Sequence, residues 1–562
     1  MGLRNSGCRS TMRAGAALAA LALIAAWECT AAEPSERATA APPRLALIGV
    51  GDSLGHGTMD ARNNATSTLR AYLQLVANSL RLVSDLEFTQ PLFDNDERRI
   101  FPYTLPTNLS VDGADAFSIE GLEYYKRVGA PTTAVNADYL VDAVFPFGFN
   151  SDSDKVLYPV NLLARRPVSQ VGAAVYLQNL FSLGPGARDQ VTILWAGNND
   201  SSLAALGFGG ANPRFLPVPF QQAKSRLKPI VQLIIGLALA SGELSLEPYT
   251  MASISRNLTD AADFAAQIHH VADRLRNEPI PYGGQRRYYL LTLPYYSAIG
   301  YLLDSDDLEF YLQKLDPSYS VPATFQRVAP AGQPITNPNQ GDRVALLTFG
   351  FMYAMLGTGF TPAQVNEVLE QNGRQVDGMV LSEAERGLIQ SRIEEYNAAI
   401  QAAALALGPD VEVINTGKLL NDALTGVTPI IINGRQISRK WIRGGSFSFD
   451  GVHPGYAGQA FIANYVLGAL NGSLGLGAPL YNLDAVASGD VYQDNDGDGW
   501  APGPPQDAPG LASLLYLFRD PDDAAPGVEP ILPPDVWDRI SDAILGELLS
   551  GLKAAQQAAA LR

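Results

Sequence analysis

Four short, largely apolar runs constrain the fold more than any other feature of the chain. They are Leu45–Val50, which stops at Gly51; Val191–Trp195, which stops at Gly197; Tyr288–Leu293, which stops at Pro294; and Val411–Ile414. Runs of this length without polar alternation read as strands buried on both faces, as in a parallel sheet covered by helices. Helical patterns lie between them. The clearest runs from about Glu383 to Leu407, with Ser382 and Glu385 at capping-box spacing and Leu388, Ile389, Ile393, Tyr396 and Ile400 at helical intervals. Strands alternating with helices predict βαβ units with right-handed crossovers, hence an α/β fold with a central parallel sheet.

Residues 201–281 and 301–376 are longer than a crossover helix needs and predict large insertions. Within the first, Pro229–Ala240 is almost wholly apolar but too short to span a bilayer. A buried helix is the expectation, and an apolar lid or acyl-chain wall is the alternative. Ile430 to Arg435 predicts a hairpin turned at Asn433-Gly434.

The two ends differ from the middle. Residues 1–32 have the pattern of a secretory signal, with Arg4, Arg9 and Arg13 ahead of an apolar run from Ala16 to Ala26 and small residues at Thr30-Ala31-Ala32. An exported protein, periplasmic or extracellular, is the expectation. Trp27 and Glu28 before Cys29 argue against a lipid anchor there. Cys8 and Cys29 are the only cysteines, so cleavage after Ala32 leaves no disulfide and no cysteine chemistry. It also moves the formal charge from −17 to −19, through loss of three arginines and Glu28. Such a surface disfavours nucleic acid and is compatible with neutral substrates. Residues 33–43 form a Pro/Ala/Thr-rich linker. Residues 473–562 form an Asp/Gly/Pro-rich extension, with an amphipathic helix pattern from Val536 to Leu561.

Chemistry-bearing residues cluster in four blocks: Gly51-Asp52-Ser53-Leu54, Asn108 to Asp115, Gly197-Asn198-Asn199-Asp200 and Asp450-Gly451-Val452-His453. Ser53 follows the first strand among glycines that permit a sharp turn, at the strand's carboxyl end, where open α/β sheets bind ligands. A serine hydroxyl is a weak nucleophile until an imidazole takes its proton, and a carboxylate on the other ring nitrogen fixes the imidazole's tautomer. Asp450 and His453, three residues apart, can supply both. Only three other histidines exist. His56 lies close to Ser53 and could line the pocket, and the adjacent His269 and His270 read as surface or packing residues. Gly51 to Gly55 also satisfies G-x-S-x-G, but in α/β-hydrolases several strands precede that elbow, and here the first strand leads into it.

On these blocks, from about residue 44 to 472, the chain resembles the SGNH, or GDSL-type, esterase/lipase family. The resemblance implies a flavodoxin-like three-layer α/β/α sandwich, here with large helical insertions and a C-terminal extension. It implies Ser53 as nucleophile, with Asp450 and His453 completing the triad. Its oxyanion hole would be formed by the Ser53 and Gly113 N–H groups and the Asn199 amide. Gly129 competes with Gly113 but lacks the preceding Asn-Leu-x-Val pattern. The expected activity is carboxylic ester hydrolysis through an acyl-enzyme, on lipid or short-chain acyl esters, with transient contact to a lipid surface and no cofactor in the chemistry. The large insertions keep substrate rules from carrying over. Two alternatives stay open: an esterase removing acetyl groups from carbohydrate, and a non-catalytic binding protein on a hydrolase scaffold.

Asp494, Asp496 and Asp498, with Gly497 between, open like an EF-hand-type calcium loop, but its twelfth position is Pro505. A Ca²⁺ site in the tail, completed by Asp490 or Asp507, and a solvated acidic turn both account for the stretch.

Overall fold

The first apolar run becomes β1 (Arg44–Gly51), buried from Leu45 onward. The others become β3 (Asp189–Trp195), β4 (Arg286–Leu291) and β5 (Val411–Ile414). A fifth strand, β2 (Asp85–Glu87), was not expected; it is short, polar and at the edge. The computed structural model describes residues 41–124, 126, 152–165, 168–206, 224–240, 249–280, 283–370, 379–505, 510–520 and 532–546. The expected signal segment, both cysteines, Gly129 and Asp507 lie outside the described residues.

All five strands are parallel, in the order β2-β1-β3-β4-β5. β2 pairs only with the start of β1, at Arg44 to Ala46. Further along, the Leu109 and Val111 N–H groups donate to the carbonyls of Gly49 and Gly51 at 2.8 and 3.1 Å, so the second sequence block runs beside β1 toward Ser53.

Helices cover both faces of the sheet. Successive strand residues point to opposite sides. Thr192 on β3 accepts a hydrogen bond from Gln178 on helix α1 (Gln170–Phe181) at 3.0 Å, and its partner on β4 is Tyr288. The next residue, Tyr289, bonds Ser473 on helix α4 (Tyr456–Leu474) at 2.5 Å. Thus α1 and α4 lie on opposite faces. Helix α2 (Ala261–Asn277) packs on α1 and on helix α3 (Glu383–Leu407). The arrangement is compatible with a three-layer sandwich. The Ser382–Glu385 capping box forms at the start of α3 as its spacing predicts.

The insertions depart from expectation in two ways. The second is not purely helical: its Leu302–Leu303 and Arg343–Ala345 join Val380–Leu381, just beyond it, in a small antiparallel sheet. Strands of two or three residues are too short to show a period in sequence. In the first, Pro229–Ala240 is helical but is not a buried helix throughout. Val231 is buried, whereas Ile230, Leu233 and Leu237 are 50–61% exposed. An apolar sequence on all sides does not supply partners on all sides.

The hairpin at Ile431–Ile432 and Arg435–Gln436 forms, with positive φ at Asn433 and Gly434. From Pro43 onward the described residues form one compact unit. Its C-terminal helical residues 536–546 bury Val536, Ile540 and Ile544, and Trp537 Nε1 donates to Thr358 Oγ1 at 3.0 Å. Among the described residues no helix is long and apolar enough to cross a membrane.

Candidate active site

Strand β1 ends in a turn built by its own side chains. Asp52 accepts the Leu54 N–H at 3.0 Å and caps a single helical turn, Ser53–His56. Ser53 is the first residue of that turn, so its N–H has no helical acceptor. The turn is pressed against the second block: a Cβ at Gly55 would overlap the Ser110 hydroxyl, which only glycine avoids. Asn108 fixes the contact. Its amide donates to the Gly55 carbonyl at 2.7 Å and to Gln90 at 2.8 Å, and its oxygen accepts the Ser110 N–H.

The third block is tied to the first by a side chain the sequence reading passed over. Asn198 donates to the second Asp52 oxygen at 2.8 Å, and the Asn198 carbonyl accepts the Tyr296 hydroxyl at 2.9 Å. Burial raises the Asp52 carboxyl to about 6, against the lowering effect of these donors and of His453. Asn199 begins the helix Asn199–Leu206, and its amide donates to the Ala114 carbonyl at 2.9 Å, next to Gly113. Asp200, fully buried, accepts the Ala116 N–H and the Thr259 hydroxyl and so anchors the 114–116 segment. Gly113 is exposed with φ +73°, and its N–H makes no hydrogen bond among the described residues.

The fourth block closes on itself. His453 Nδ1 lies 2.6 Å from Asp450 Oδ2. Asp450 also accepts N–H groups from Val452 and His453 at 2.8 Å, the Ser448 hydroxyl at 3.0 Å and the Ala61 N–H at 2.7 Å. This donor set holds the Asp450 carboxyl below the ordinary range despite burial, which opposes it most strongly, with the His453 charge the leading favourable influence. For His453, burial again opposes charge, but Asp450, Asp112 and Asp52 outweigh it and raise the ring to about 9.

Ser53, Asp112, Asn198, Asn199, Asp450 and His453 all line one cavity of about 280 Å³. The rest of its wall is mainly apolar: Leu54, Trp195, Leu206, Leu420, Phe447 and Phe461 are representative. Ser53 and His453 are 8% and 9% exposed, and no hydrogen bond joins the Ser53 hydroxyl to the ring.

His56 is not in that wall, contrary to expectation. It is buried against Phe93, with ring centroids 4.9 Å apart, and its Nδ1 accepts the Asp112 N–H at 3.2 Å. Burial lowers it to about 4, which suits an acceptor that stays neutral. His269 and His270 are exposed on α2. Asp112 was missed as a site residue, although it stands beside Gly113 in the second block. Its charge helps to hold the proton on His453. In Asp112→Asn, the titration of the His453 ring followed by ¹⁵N NMR is therefore expected to move to lower pH, because the imidazolium loses a stabilising charge. An unmoved titration contradicts that role.

Asp494, Asp496 and Asp498 come together, with one oxygen of each within 4.8 Å of the others. Asp490 is not among them; it accepts the Ala457 N–H at 2.9 Å in the first turn of α4. A second acidic group, Asp304, Asp306 and Asp307, is neutralised by Arg439, Lys440 and Arg443. A scan against protein-family models and searches of curated proteins and of solved structures each found no match.

Proposed function

We propose that the protein is a serine hydrolase of carboxylic esters with an apolar acyl group. The observation that carries this reading is the meeting of Ser53, Asn199 and the Asp450–His453 pair in the wall of one largely apolar cavity. The cavity lies at the carboxyl ends of β1 and β3, where the strand order reverses. The order β2-β1-β3-β4-β5 is that of flavodoxin-like sheets, in which ligands bind at this switch point. It supports the resemblance to the SGNH family.

In the proposed reaction His453 Nε2 takes the Ser53 proton as Oγ attacks the ester carbonyl carbon. The oxyanion is held by the Ser53 and Gly113 N–H groups and the Asn199 amide. His453 returns the proton to the departing alcohol, leaving Ser53 acylated. Water then attacks the acyl carbon and gives a proton to Nε2, which passes it to Ser53 Oγ as the Oγ–acyl bond breaks and the acid leaves. The step needs neutral His453, so kcat/KM is expected to climb with pH until the ring, raised to about 9, is deprotonated. No metal takes part, and a cation at Asp494, Asp496 and Asp498 would serve only to order the tail. Export and transient contact with a lipid surface belong to the same proposal.

The apolar lining favours an acyl chain over a sugar ring, which needs polar partners. A series of p-nitrophenyl esters tests this. Each added methylene that enters the cavity is worth about 0.8 kcal/mol, so kcat/KM is expected to rise about fourfold per carbon and then level off once the cavity is full. Activity confined to acetylated xylan would replace this reading with the carbohydrate esterase. No activity on any ester, with biological function kept in Ser53→Ala, would favour the binding protein.

A further inference from the structure

We infer that Asp60 is a positioning residue for the Asp450–His453 pair, and that the C-terminal extension holds Asp60 in place through Tyr492 and Tyr516. The inference rests on the catalytic reading above.

The observation begins with a strained turn. Met59 and Arg62 exchange backbone hydrogen bonds of 3.0 Å in both directions. Between them Asp60 and Ala61 have φ of +55° and +53°. Two successive left-handed residues form the tight turn that normally takes Asn-Gly or Asp-Gly, so Asp60 suits its position, while Ala61 stands where glycine is preferred and is the strained residue. Such a conformation persists only where its surroundings over-determine it.

Here the surroundings are the fourth block and the extension. The strained turn aims the Ala61 N–H at Asp450 Oδ2, the same oxygen that receives His453 Nδ1. Asp60 holds the turn in that pose. Its N–H donates to Ser448 Oγ at 3.1 Å, and its Oδ1 accepts the Phe449 N–H at 2.8 Å. Ser448 in turn donates to Asp450 at 3.0 Å. The second Asp60 oxygen accepts the Tyr492 hydroxyl at 2.8 Å and the Tyr516 hydroxyl at 3.2 Å. Both tyrosine rings pack on Phe449, at centroid distances of 5.7 and 6.2 Å. The fully buried Asp60 thus joins three distant stretches of chain around the carboxylate that orients His453. The extension is in this sense a structural part of the site.

The test combines a readout of geometry with one of rate. The full-length protein, labelled with ¹⁵N at its four histidines, is compared with Asp60→Ala, Asp60→Asn and the Tyr492→Phe/Tyr516→Phe double variant. The downfield proton shared by His453 Nδ1 and Asp450 is followed by NMR, with kcat and KM on a short p-nitrophenyl ester. Asp60→Ala is expected to lose or shift that proton and to drop kcat by about 10- to 100-fold, the cost of a small misplacement, with KM nearly unchanged. Asp60→Asn is expected to restore both, because an amide oxygen still accepts from Phe449 and the amide N–H can donate to the tyrosine oxygens. The tyrosine variant is expected to shift the same proton, and it carries the test if Asp60→Ala does not fold.

An unchanged proton and unchanged kcat in Asp60→Ala, or in the tyrosine variant when Asp60→Ala does not fold, would overturn the inference while leaving ester hydrolysis intact. A native protein with no esterase activity, whose proton is nonetheless lost in Asp60→Ala, would uphold the positioning role and sink the catalytic reading instead.

Discussion

The Ser53→Ala protein is expected to hydrolyse its best ester roughly 10⁵- to 10⁶-fold more slowly than the native chain, with KM and thermal midpoint close to native. Loss of a nucleophile costs about that much because the triad acts as a unit, and only the oxyanion donors and binding remain. The stability half of the expectation comes from the structure. Ser53 is the first residue of its helical turn, where alanine is tolerated, and its hydroxyl bonds nothing among the described residues, so its removal strands no partner. The turn itself is held by Asp52, Asn198 and Asn108, which the substitution leaves alone. A stopped-flow assay beside a melting curve separates the two. A large loss of activity with an equally large loss of stability would contradict a purely chemical role.

Asp450→Asn is expected to lower kcat by about 10⁴-fold and also to destabilise the protein. Asp450 accepts five hydrogen bonds, from Ala61, Ser448, Val452, His453 N and His453 Nδ1. An amide has one acceptor oxygen, so in either orientation its NH₂ faces N–H donors. If it faces Nδ1, the ring must carry its proton on Nε2, where it cannot take one from Ser53. The donors left without an acceptor cost about 1–3 kcal/mol each. The pH profile adds a third readout. Without the Asp450 charge His453 is no longer held near 9, so the residual activity is expected to reach its plateau at lower pH. Residual activity that still rises into the alkaline range would place the controlling charge elsewhere.

The contrast between what was legible in the sequence and what was not follows physical range. Strands β1, β3 and β4 could be read because the stretch of a strand that is buried on both faces is apolar; the edge strand β5, half-buried at Glu412 and Val413, was legible only as a short Val/Ile-rich run. The start of α3 could be read because a capping box is a local hydrogen-bond pattern. Strand β2 and the small antiparallel sheet could not, since two or three residues carry no period. At the site, Ser53, Asn199, Asp450 and His453 stood out because each sits in a short block with its neighbours. The Asn198–Asp52 bond and the Asp60 network span 146 to 456 residues and leave no local trace. His56 shows the opposite failure. Its closeness to Ser53 in sequence suggested the pocket, but the helical turn points its ring into the Phe93 side of the core.

The most direct measurement of the central claim is labelling with a fluorophosphonate probe, which reacts with a serine only when a neighbouring base activates it. At pH 9 the native protein is expected to take up one probe, at Ser53 by peptide mass. His453→Ala is expected to react far more slowly and Ser53→Ala not at all. Equal labelling of the native and Ser53→Ala proteins, or native speed in His453→Ala, would contradict the account.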